Sequence, residues 1–249
     1  MRLGALVSPF DGSNPRAIPE QARALEGEGF DAMWSAHAMG RGFMMPDPFV
    51  SLSAAAAVTE KLELGTAILQ LPLYNPTDVA IKSYALSQLS GGRFVLGVGA
   101  GSTKLDYELN GLPYGERFKA FEQGLATLRQ NFASGECNDV PFAPWESVAG
   151  GPPIYFGTWG KNVTRAAEEF DGWIGSGHYR TVEEVIAAHD QYRAAGGKRA
   201  MVSTLQIHGD TDLGEMKERL GRYRDAGLDD AVVMIMPGGP SIADVRKLL

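Results

Sequence analysis

Short apolar runs alternate with longer amphipathic segments along the whole chain. The runs are almost continuously hydrophobic, which is typical of parallel strands buried on both faces. They lie at residues 3–8, 31–36, 62–67, 93–98, 153–158, 171–176, 201–209 and 231–236. Eight runs, each followed by a segment with helical spacing, predict a parallel sheet built from strand–helix units.

The helical segments begin at typical cap residues. Asp47 precedes Pro48 and Asn75 precedes Pro76, so two helices each have an N-cap side chain followed by a proline at the first helical position. Eight strand–helix units in 249 residues predict a single (β/α)8 TIM barrel domain over residues 1–249. An open doubly wound sheet is the alternative, but that fold usually has fewer strands and a clear phosphate-binding fingerprint.

The composition is that of an acidic globular protein, with 44% hydrophobic residues and a formal net charge of −7. No basic block occurs, so nucleic acid and anionic membranes are not expected partners. No apolar run reaches the roughly 20 residues of a membrane helix, and the N-terminal segment does not resemble a signal peptide, so we expect a cytoplasmic protein. Cys137 is the single cysteine, which excludes an intrachain disulfide, and no nearby histidine marks it as a nucleophile.

The fourth apolar run ends in a glycine-rich stretch, GGRFVLGVGAG at residues 91–101. The spacing of Gly97, Gly99 and Gly101 does not match the dinucleotide fingerprint Gly-x-Gly-x-x-Gly, and the polar sequence that follows predicts turns instead of a helix. Two interpretations remain. The missing side chains either clear space for a flat ring or relieve crowding where the strand bends into its loop.

Three histidines follow predicted strands, at the barrel end where barrel enzymes carry their chemistry. His37 follows the second strand directly and is the best-placed acid–base candidate, since an imidazole titrates near neutral pH. His178 and His208 follow later strands, whereas His189 lies in an amphipathic helix and is expected at the solvated surface. No metal-ligand motif and no strand lysine occurs, which argues against metal and Schiff-base chemistry.

Two later loops predict a phosphate site. Each follows a strand, is rich in small residues and precedes a helix, whose first N–H groups attract anions. The residues are Gly157, Thr158, Trp159, Gly160 and Lys161 in the first loop and Gly175, Ser176 and Gly177 in the second. The alternative is that both loops only cap helices.

Four motifs in this order resemble the luciferase-like superfamily of flavin- and deazaflavin-dependent oxidoreductases: GFDAMWSAH, DPFVSLSAAAAVTEKLELGTAI, NPTDVAIKSYALSQLSGGRFVLGVGAG and PPIYFGTWGKNVTRAAEEFDGWIGSG. The resemblance implies FMN or coenzyme F420 at the mouth of the barrel, a non-prolyl cis peptide at Ala67–Ile68, and a homodimer formed through the early helices. It also implies ring contacts from His37, Ala67, Ile68 and the Gly97–Gly101 stretch, with phosphate on the two later loops.

The chain departs from this family at two positions and in length. Ala36 stands where many deazaflavin-dependent relatives have an acidic residue, and Ser102 stands where some have a glutamate proton donor. The loop after the fourth helix is shortened, and residues 133–153, rich in Gly, Pro and Asn, form either a lid or a remnant of a longer insertion.

The resemblance therefore predicts hydride transfer between F420 or FMN and an organic substrate, or FMNH2-dependent monooxygenation. His37 is the predicted acid–base group, and Tyr107, Trp159 and His178 are predicted in the pocket wall. A flavin-binding protein without turnover is the alternative, and a phosphate-binding barrel isomerase without redox chemistry is a third hypothesis.

Overall fold

Eight parallel strands form a closed barrel in a computed structural model, which describes residues 1–8, 12–42 and 44–249. The strands are β1 Arg2–Leu6, β2 Ala32–Ser35, β3 Glu63–Thr66, β4 Phe94–Gly99, β5 Ile154–Gly157, β6 Gly172–Ser176, β7 Ala200–Ile207 and β8 Asp230–Ile235. Each lies within or overlaps a predicted run. Neighbouring strands pair in the order β3-β2-β1-β8-β7-β6-β5-β4, and pairing of Leu64 with Phe94 closes the ring. The predicted TIM barrel is confirmed.

Helices surround the barrel. They are α1 Ala17–Gly27, α2 Pro48–Ala56, α3 Pro76–Leu89, α4 Lys104–Leu109, α5 Arg117–Ser134, α6 Asn162–Glu169, α7 Val182–Ala194, α8 Leu213–Asp225 and α9 Ile242–Arg246. The predicted N-caps are confirmed: Asp47 accepts hydrogen bonds from the first backbone amides of α2, and Asn75 does the same for α3.

Helix α4 corrects the prediction of turns after Gly101. Its sequence is short and polar, so its own propensity would leave it marginal. Two of its side chains are buried, however: Tyr107 donates its hydroxyl to the Ala100 carbonyl, and Asp106 is fully inaccessible. These tertiary contacts fix the helix, and such contacts cannot be inferred from local sequence.

Residues 133–153 contain a small hairpin, in which Glu136–Cys137 pairs with Val140–Pro141, and one 3-10 turn. The segment runs along α3. The Thr77 hydroxyl donates to the Cys137 sulfur at 3.3 Å near one end of α3, and the Ser147 hydroxyl donates to Gln88 at 2.5 Å near the other. A role for this segment as a lid stays a prediction.

The N-terminal end of the barrel is closed by a network of four charged residues. Arg199 donates to both Glu63 oxygens, at 2.7 and 3.0 Å, and to both Asp230 oxygens, at 2.7 and 2.9 Å. Arg2 pairs with the same two carboxylates. Burial would raise the pKa of Glu63, but the hydrogen bonds and charges of Arg199 and Arg2 outweigh it and hold that pKa below its usual value.

A buried tryptophan fills the barrel interior above this network. The Trp34 indole is fully buried and lies directly over Gly65 of the neighbouring strand. A Cβ atom at residue 65 would lie 2.2 Å from the Trp34 ring, closer than van der Waals contact allows. The absence of a side chain at Gly65 is therefore what admits the indole.

The Gly65→Ala substitution should lower the free energy of unfolding by about 1–3 kcal/mol, because the indole must shift within a close-packed core. Gly27→Ala is the matched control. Gly27 ends α1 with open space around its Cβ position, so alanine there should be neutral or slightly stabilising. Urea denaturation of both variants measures the difference, and equal stabilities would contradict the packing argument.

Candidate functional site

His37 lies at the C-terminal mouth of the barrel, just after β2. Its backbone N–H donates to the Ile68 carbonyl at 3.0 Å, and its own carbonyl accepts from Gln70 Nε2 at 2.9 Å. The imidazole packs edge-on against Tyr74, with ring centroids 4.8 Å apart. Its Nδ1 atom is buried and has no hydrogen-bond partner among the described residues. The backbone of His37 is thus held on both sides while one ring nitrogen stays available.

Burial lowers the pKa of His37, and the nearby Arg41 charge acts in the same direction. The Asp47 and Asp106 carboxylates oppose this shift without reversing it. The imidazole is therefore neutral at neutral pH and able to accept a proton.

Two carboxylates border this histidine, although neither was a candidate from the sequence. Asp106 is fully buried and accepts from Gln70 Nε2 at 2.6 Å and from Arg41 Nη1 at 2.5 Å. Asp47 accepts the Tyr74 hydroxyl at 2.6 Å in addition to capping α2. Ala36 and Ser102 contribute no acid, so the negative charge near His37 comes from other elements.

The peptide bond between Ala67 and Ile68 is cis, at the position that the family resemblance implies. The Ile68 side chain packs over two glycines of neighbouring strands. A Cβ atom would lie 2.4 Å from Ile68 Cγ2 at Gly157 and 3.1 Å from Ile68 Cδ1 at Gly99. These two glycines make room for Ile68.

The interpretation that the β4 glycines clear space for a ring is wrong, because protein atoms fill that space. Beside the Ile68 contact at Gly99, a Cβ atom would lie 2.0 Å from the Thr66 carbonyl at Gly97 and 2.0 Å from the Gln70 amide oxygen at Gly101. The alternative, relief of crowding at the strand end, accounts for all three. Cofactor contacts from these residues stay a prediction.

The first predicted phosphate loop is partly anchored and partly open. The Thr158 carbonyl accepts the Trp173 indole N–H at 2.9 Å, and the Trp159 ring meets Trp173 edge-on at 5.6 Å. Gly160 and Lys161 are exposed immediately before α6 begins. The open end of the loop thus presents a lysine and the first turn of a helix.

In the second predicted loop, more of the residues already make contacts within the protein. Gly175 lies against the Trp173 ring, and Ser176 pairs with Ser203 of β7. The Gly177 N–H donates to the Ser203 carbonyl at 2.7 Å, and its carbonyl accepts from Arg219 Nη2 at 3.0 Å. The Gly177 amide is therefore already used, and the donors beside it are side chains.

A cavity of about 430 Å³ lies beside Gly177, at the C-terminal ends of β6 and β7. Its polar lining combines two guanidinium groups, two imidazoles, three hydroxyls and an amide: Arg180, Arg219, His178, His208, Tyr179, Thr181, Thr204 and Gln206. His178 was predicted in the pocket wall and lines this cavity, whereas the two arginines and Thr204 were missed. Burial lowers the pKa of His178.

Two other predicted positions differ in the structure. Tyr107 is only 1% exposed and holds the loop after β4, so its geometry gives no support to a place in the pocket wall. The prediction that His189 is solvated is wrong: it is 3% exposed, and its Nε2 accepts from Arg193 at 2.9 Å. Burial, followed by the Arg193 charge, lowers the pKa of His189.

Acidification below about pH 6.5 should destabilise the fold through these histidines. The pKa values of His37, His178 and His189 are all lowered in the folded state, so the unfolded chain binds more protons in that range. The free energy of unfolding therefore decreases as the pH is lowered. Thermal unfolding between pH 8 and pH 5 measures the slope. His189→Gln should reduce the slope of stability against pH, and an unchanged slope would contradict the lowered pKa of His189.

Within the described ranges, no group of three or more His, Cys, Asp or Glu side chains is arranged to hold a metal ion. No described helix has the length and apolarity to cross a membrane.

The closed barrel, with polar groups gathered at the carboxyl ends of its strands, defines the chain as a TIM barrel protein. Residues 1–230 match the sequence profile of the luciferase-like monooxygenase family, and the chain belongs to this family. Family membership supports flavin-dependent oxidoreductase or monooxygenase activity in general terms.

Relatives include a putative F420-dependent oxidoreductase and a monooxygenase. An uncharacterised protein of Mycobacterium tuberculosis is 31% identical over 78% of this chain and 70% of its own length. A putative coenzyme F420-dependent oxidoreductase of the same species is 27% identical over 70% of this chain and 55% of its own. A 4-hydroxyprotoasukamycin monooxygenase of Streptomyces nodosus subsp. asukaensis is 37% identical over 54% of this chain and 38% of its own.

Solved structures share the fold at low sequence identity. A monooxygenase from Streptomyces bottropensis has a TM-score of 0.80 at 18% identity, covering 100% of this chain and 97% of its own. The coenzyme F420-dependent tetrahydromethanopterin reductase of Methanopyrus kandleri has a TM-score of 0.76 at 17% identity, covering 99% and 96%.

Proposed function

We propose that the protein is an oxidoreductase that binds F420 or FMN at the mouth of the barrel and acts on a small organic substrate. The observation that carries this proposal is the half-buried His37 imidazole, neutral and with a buried, unpartnered Nδ1, beside the Ala67–Ile68 peptide. A buried polar atom without a partner calls for an explanation, and this one lies at the end of the barrel where barrel enzymes bind their ligands. When bound, the cofactor would supply the hydride or activate oxygen.

The described residues fit such a group. Ala67 and Ile68 form one wall of the mouth, and His37 would hold or move a proton at Nδ1 beside it. The open Gly160–Lys161 turn before α6 would hold the phosphate through helix N–H groups and a lysine charge. The Gln70–Asp106–Arg41 hydrogen bonds fix the carbonyl of His37 and would keep its ring in place.

Titration of the purified protein with FMN and with F420, each oxidised and reduced, tests the proposal. Quenching of ligand fluorescence reports binding of the oxidised forms, quenching of protein tryptophan fluorescence reports binding of the reduced forms, and riboflavin is the control that lacks the phosphate. Retention of neither cofactor in either redox state would overturn the proposal. The complex of the protein with the cofactor that it binds would then be screened with small carbonyl, alkene and aromatic compounds by following cofactor absorbance and oxygen consumption.

A flavin-binding protein without turnover is the second candidate, favoured by the absence of acids at Ala36 and Ser102. Both candidates predict cofactor binding, so the titration does not separate them. Cofactor oxidation or reduction in the substrate screen does, because only the oxidoreductase changes the absorbance in proportion to added substrate.

The expected homodimer is supported by apolar side chains that α2 and α3 leave exposed: Val50, Ile81 and Leu89. Sedimentation equilibrium measures the mass in solution. A Val50→Lys, Ile81→Lys double variant should shift a dimer to monomer, whereas a monomeric parent protein would exclude the homodimer.

A further inference from the structure

Tyr74 connects two segments that border the mouth of the barrel. It directly follows the 3-10 turn Leu71–Leu73, in the connection after β3, and it precedes the N-cap of α3. Its hydroxyl donates to Asp47 Oδ2 at 2.6 Å, which ties it to the start of α2. Its ring meets the His37 imidazole with 4.8 Å between centroids and 60° between planes. One side chain thus contacts both the acid–base candidate and a carboxylate that borders it.

Both oxygens of the Asp47 carboxylate are engaged. Oδ1 accepts the backbone N–H groups of Phe49 and Val50, at 2.9 and 3.2 Å, and Oδ2 accepts the Tyr74 hydroxyl. Burial and the hydrogen bond to Asp47 raise the pKa of Tyr74 well above its usual value, so the phenol keeps its proton and acts as the donor. The charge of Asp47 therefore acts on His37 through space, and the Tyr74 hydroxyl compensates part of it.

Within the described ranges, no polar side chain fixes the orientation of the His37 ring. Its buried Nδ1 has no partner, and the hydrogen bonds to Ile68 and from Gln70 use backbone atoms of His37. Backbone contacts leave the two side-chain torsions of a histidine free to choose among rotamers. Aromatic rings prefer edge contacts with centroids about 4.5–7 Å apart, and the contact with Tyr74 has this geometry. The Tyr74 ring is thus placed to select one orientation of the imidazole.

From these contacts we infer that Tyr74 is a positioning residue for His37: its ring directs the imidazole, and its hydroxyl moderates the charge of Asp47 beside it. The inference rests on the proposed function and deepens it, because it names the residue that holds the acid–base group ready. Tyr74 acts through His37 and Asp47, and no contact with substrate or cofactor is assigned to it.

Charged groups from several elements face the two rings: Asp47, Asp106, Arg41, Asp78 and Lys82. Of these, Asp47 has the largest effect on the pKa of His37 and raises it. Lys82 and Asp78 are paired with each other at 2.6 Å, so together they add little net charge beside Tyr74. A change in the hydrogen bond between Tyr74 and Asp47 should therefore be felt at His37.

NMR titration of the ligand-free protein, labelled with 15N-histidine, tests the role of the hydroxyl. Tyr74→Phe should raise the pKa of His37 by about 0.3–1 unit, because the Asp47 charge loses a compensating hydrogen bond. The His37 signal is identified by its loss in His37→Asn. Tyr84→Phe is the matched control, since the Tyr84 hydroxyl on α3 donates to the Asn131 carbonyl at 3.1 Å and does not contact His37. An equal pKa of His37 in Tyr74→Phe, Tyr84→Phe and the parent would overturn the role of the hydroxyl.

Tyr74→Leu tests the role of the ring, because leucine is apolar but cannot make the edge contact. The imidazole should then populate more than one rotamer, whereas the parent and Tyr74→Phe should keep one. Three-bond couplings across the Cα–Cβ bond of His37, measured in ligand-free protein, report the rotamer populations. A single, unchanged rotamer in Tyr74→Leu would overturn positioning by the ring.

Kinetics connect both effects to the proposed reaction. Tyr74→Leu should lower kcat about 10-fold and change KM by less than about threefold, because a misdirected base reduces the rate without weakening binding. Tyr74→Phe should keep kcat at neutral pH, and its rise of kcat/KM with pH should move to higher pH with the pKa of His37. A kcat in Tyr74→Leu equal to that of the parent would contradict the positioning role. A protein that binds neither cofactor would refute the proposed function, and the two NMR measurements would then decide the role of Tyr74 by themselves.

Discussion

Replacing His37 with alanine should lower kcat about 100- to 1000-fold, within the range that positioned acid–base groups contribute, while the cofactor dissociation constant changes by less than about threefold. The backbone contacts of His37 to Ile68 and Gln70 do not depend on its side chain, so the mouth of the barrel should keep its shape. Steady-state kinetics with a substrate from the screen and fluorescence titration of the cofactor measure the two quantities.

The pH dependence separates proton transfer from a purely structural effect. Because burial lowers the pKa of His37, the neutral imidazole predominates above that pKa. If it accepts a proton, kcat/KM should rise with pH through a value below 6.5 and stay flat at neutral pH. His37→Asn keeps a polar side chain but cannot titrate, and it should lose this acid limb as alanine does. An unchanged kcat or an unchanged acid limb would remove His37 from its assigned role.

Arg199→Met should destabilise the protein by about 3–5 kcal/mol, the cost typical of removing one partner from a buried ion pair. Asp230 is only 3% exposed in its side chain and Glu63 is 19% exposed, and both lose their bidentate partner. Arg2 alone then faces two carboxylates. Chemical denaturation at neutral pH measures the loss, and Arg222→Met, which removes an exposed pair, should cost no more than about 1 kcal/mol.

The sign of the pH effect distinguishes charge from packing in this variant. In the parent protein the pKa of Glu63 is below its usual 4.5, so its contribution is present above pH 4.5 and is lost as the pH falls through the lowered value. In Arg199→Met the same carboxylates repel, and protonation relieves them. The destabilisation relative to the parent should therefore shrink from pH 8 to pH 5. A loss independent of pH would assign the effect to packing alone.

The sequence was sufficient to predict the barrel, because its strands and caps are encoded locally. Near-continuous apolar runs indicate strands buried on both faces, and residue pairs such as Asp47–Pro48 mark helix starts whatever surrounds them. Helix α4 was missed for the converse reason. Its polar sequence is held by burial of Asp106 and Tyr107, which depends on elements distant in the chain.

The candidate site was predictable only in part. His37 could be predicted because it directly follows a strand, and barrel enzymes carry their chemistry at the C-terminal ends of strands. Arg219 and Thr204 carry no such signal: one is an ordinary helix residue and the other lies inside a strand, and only the adjacency of β6, β7 and α8 brings them to one cavity. The β4 glycines show the same limit, since the sequence marks missing side chains but not which atoms occupy the space.

The packing of Ile68 over Gly99 and Gly157 has a consequence for directed evolution of substrate range. Residues on three different strands or strand ends share one volume, so their sizes are constrained jointly. Enlarging residue 99 or 157 alone should destabilise the fold, whereas the same change should be tolerated once residue 68 is reduced to alanine or glycine. A library that varies the three positions together can therefore reshape the wall of the mouth that Ile68 forms, through combinations whose single substitutions are each destabilising.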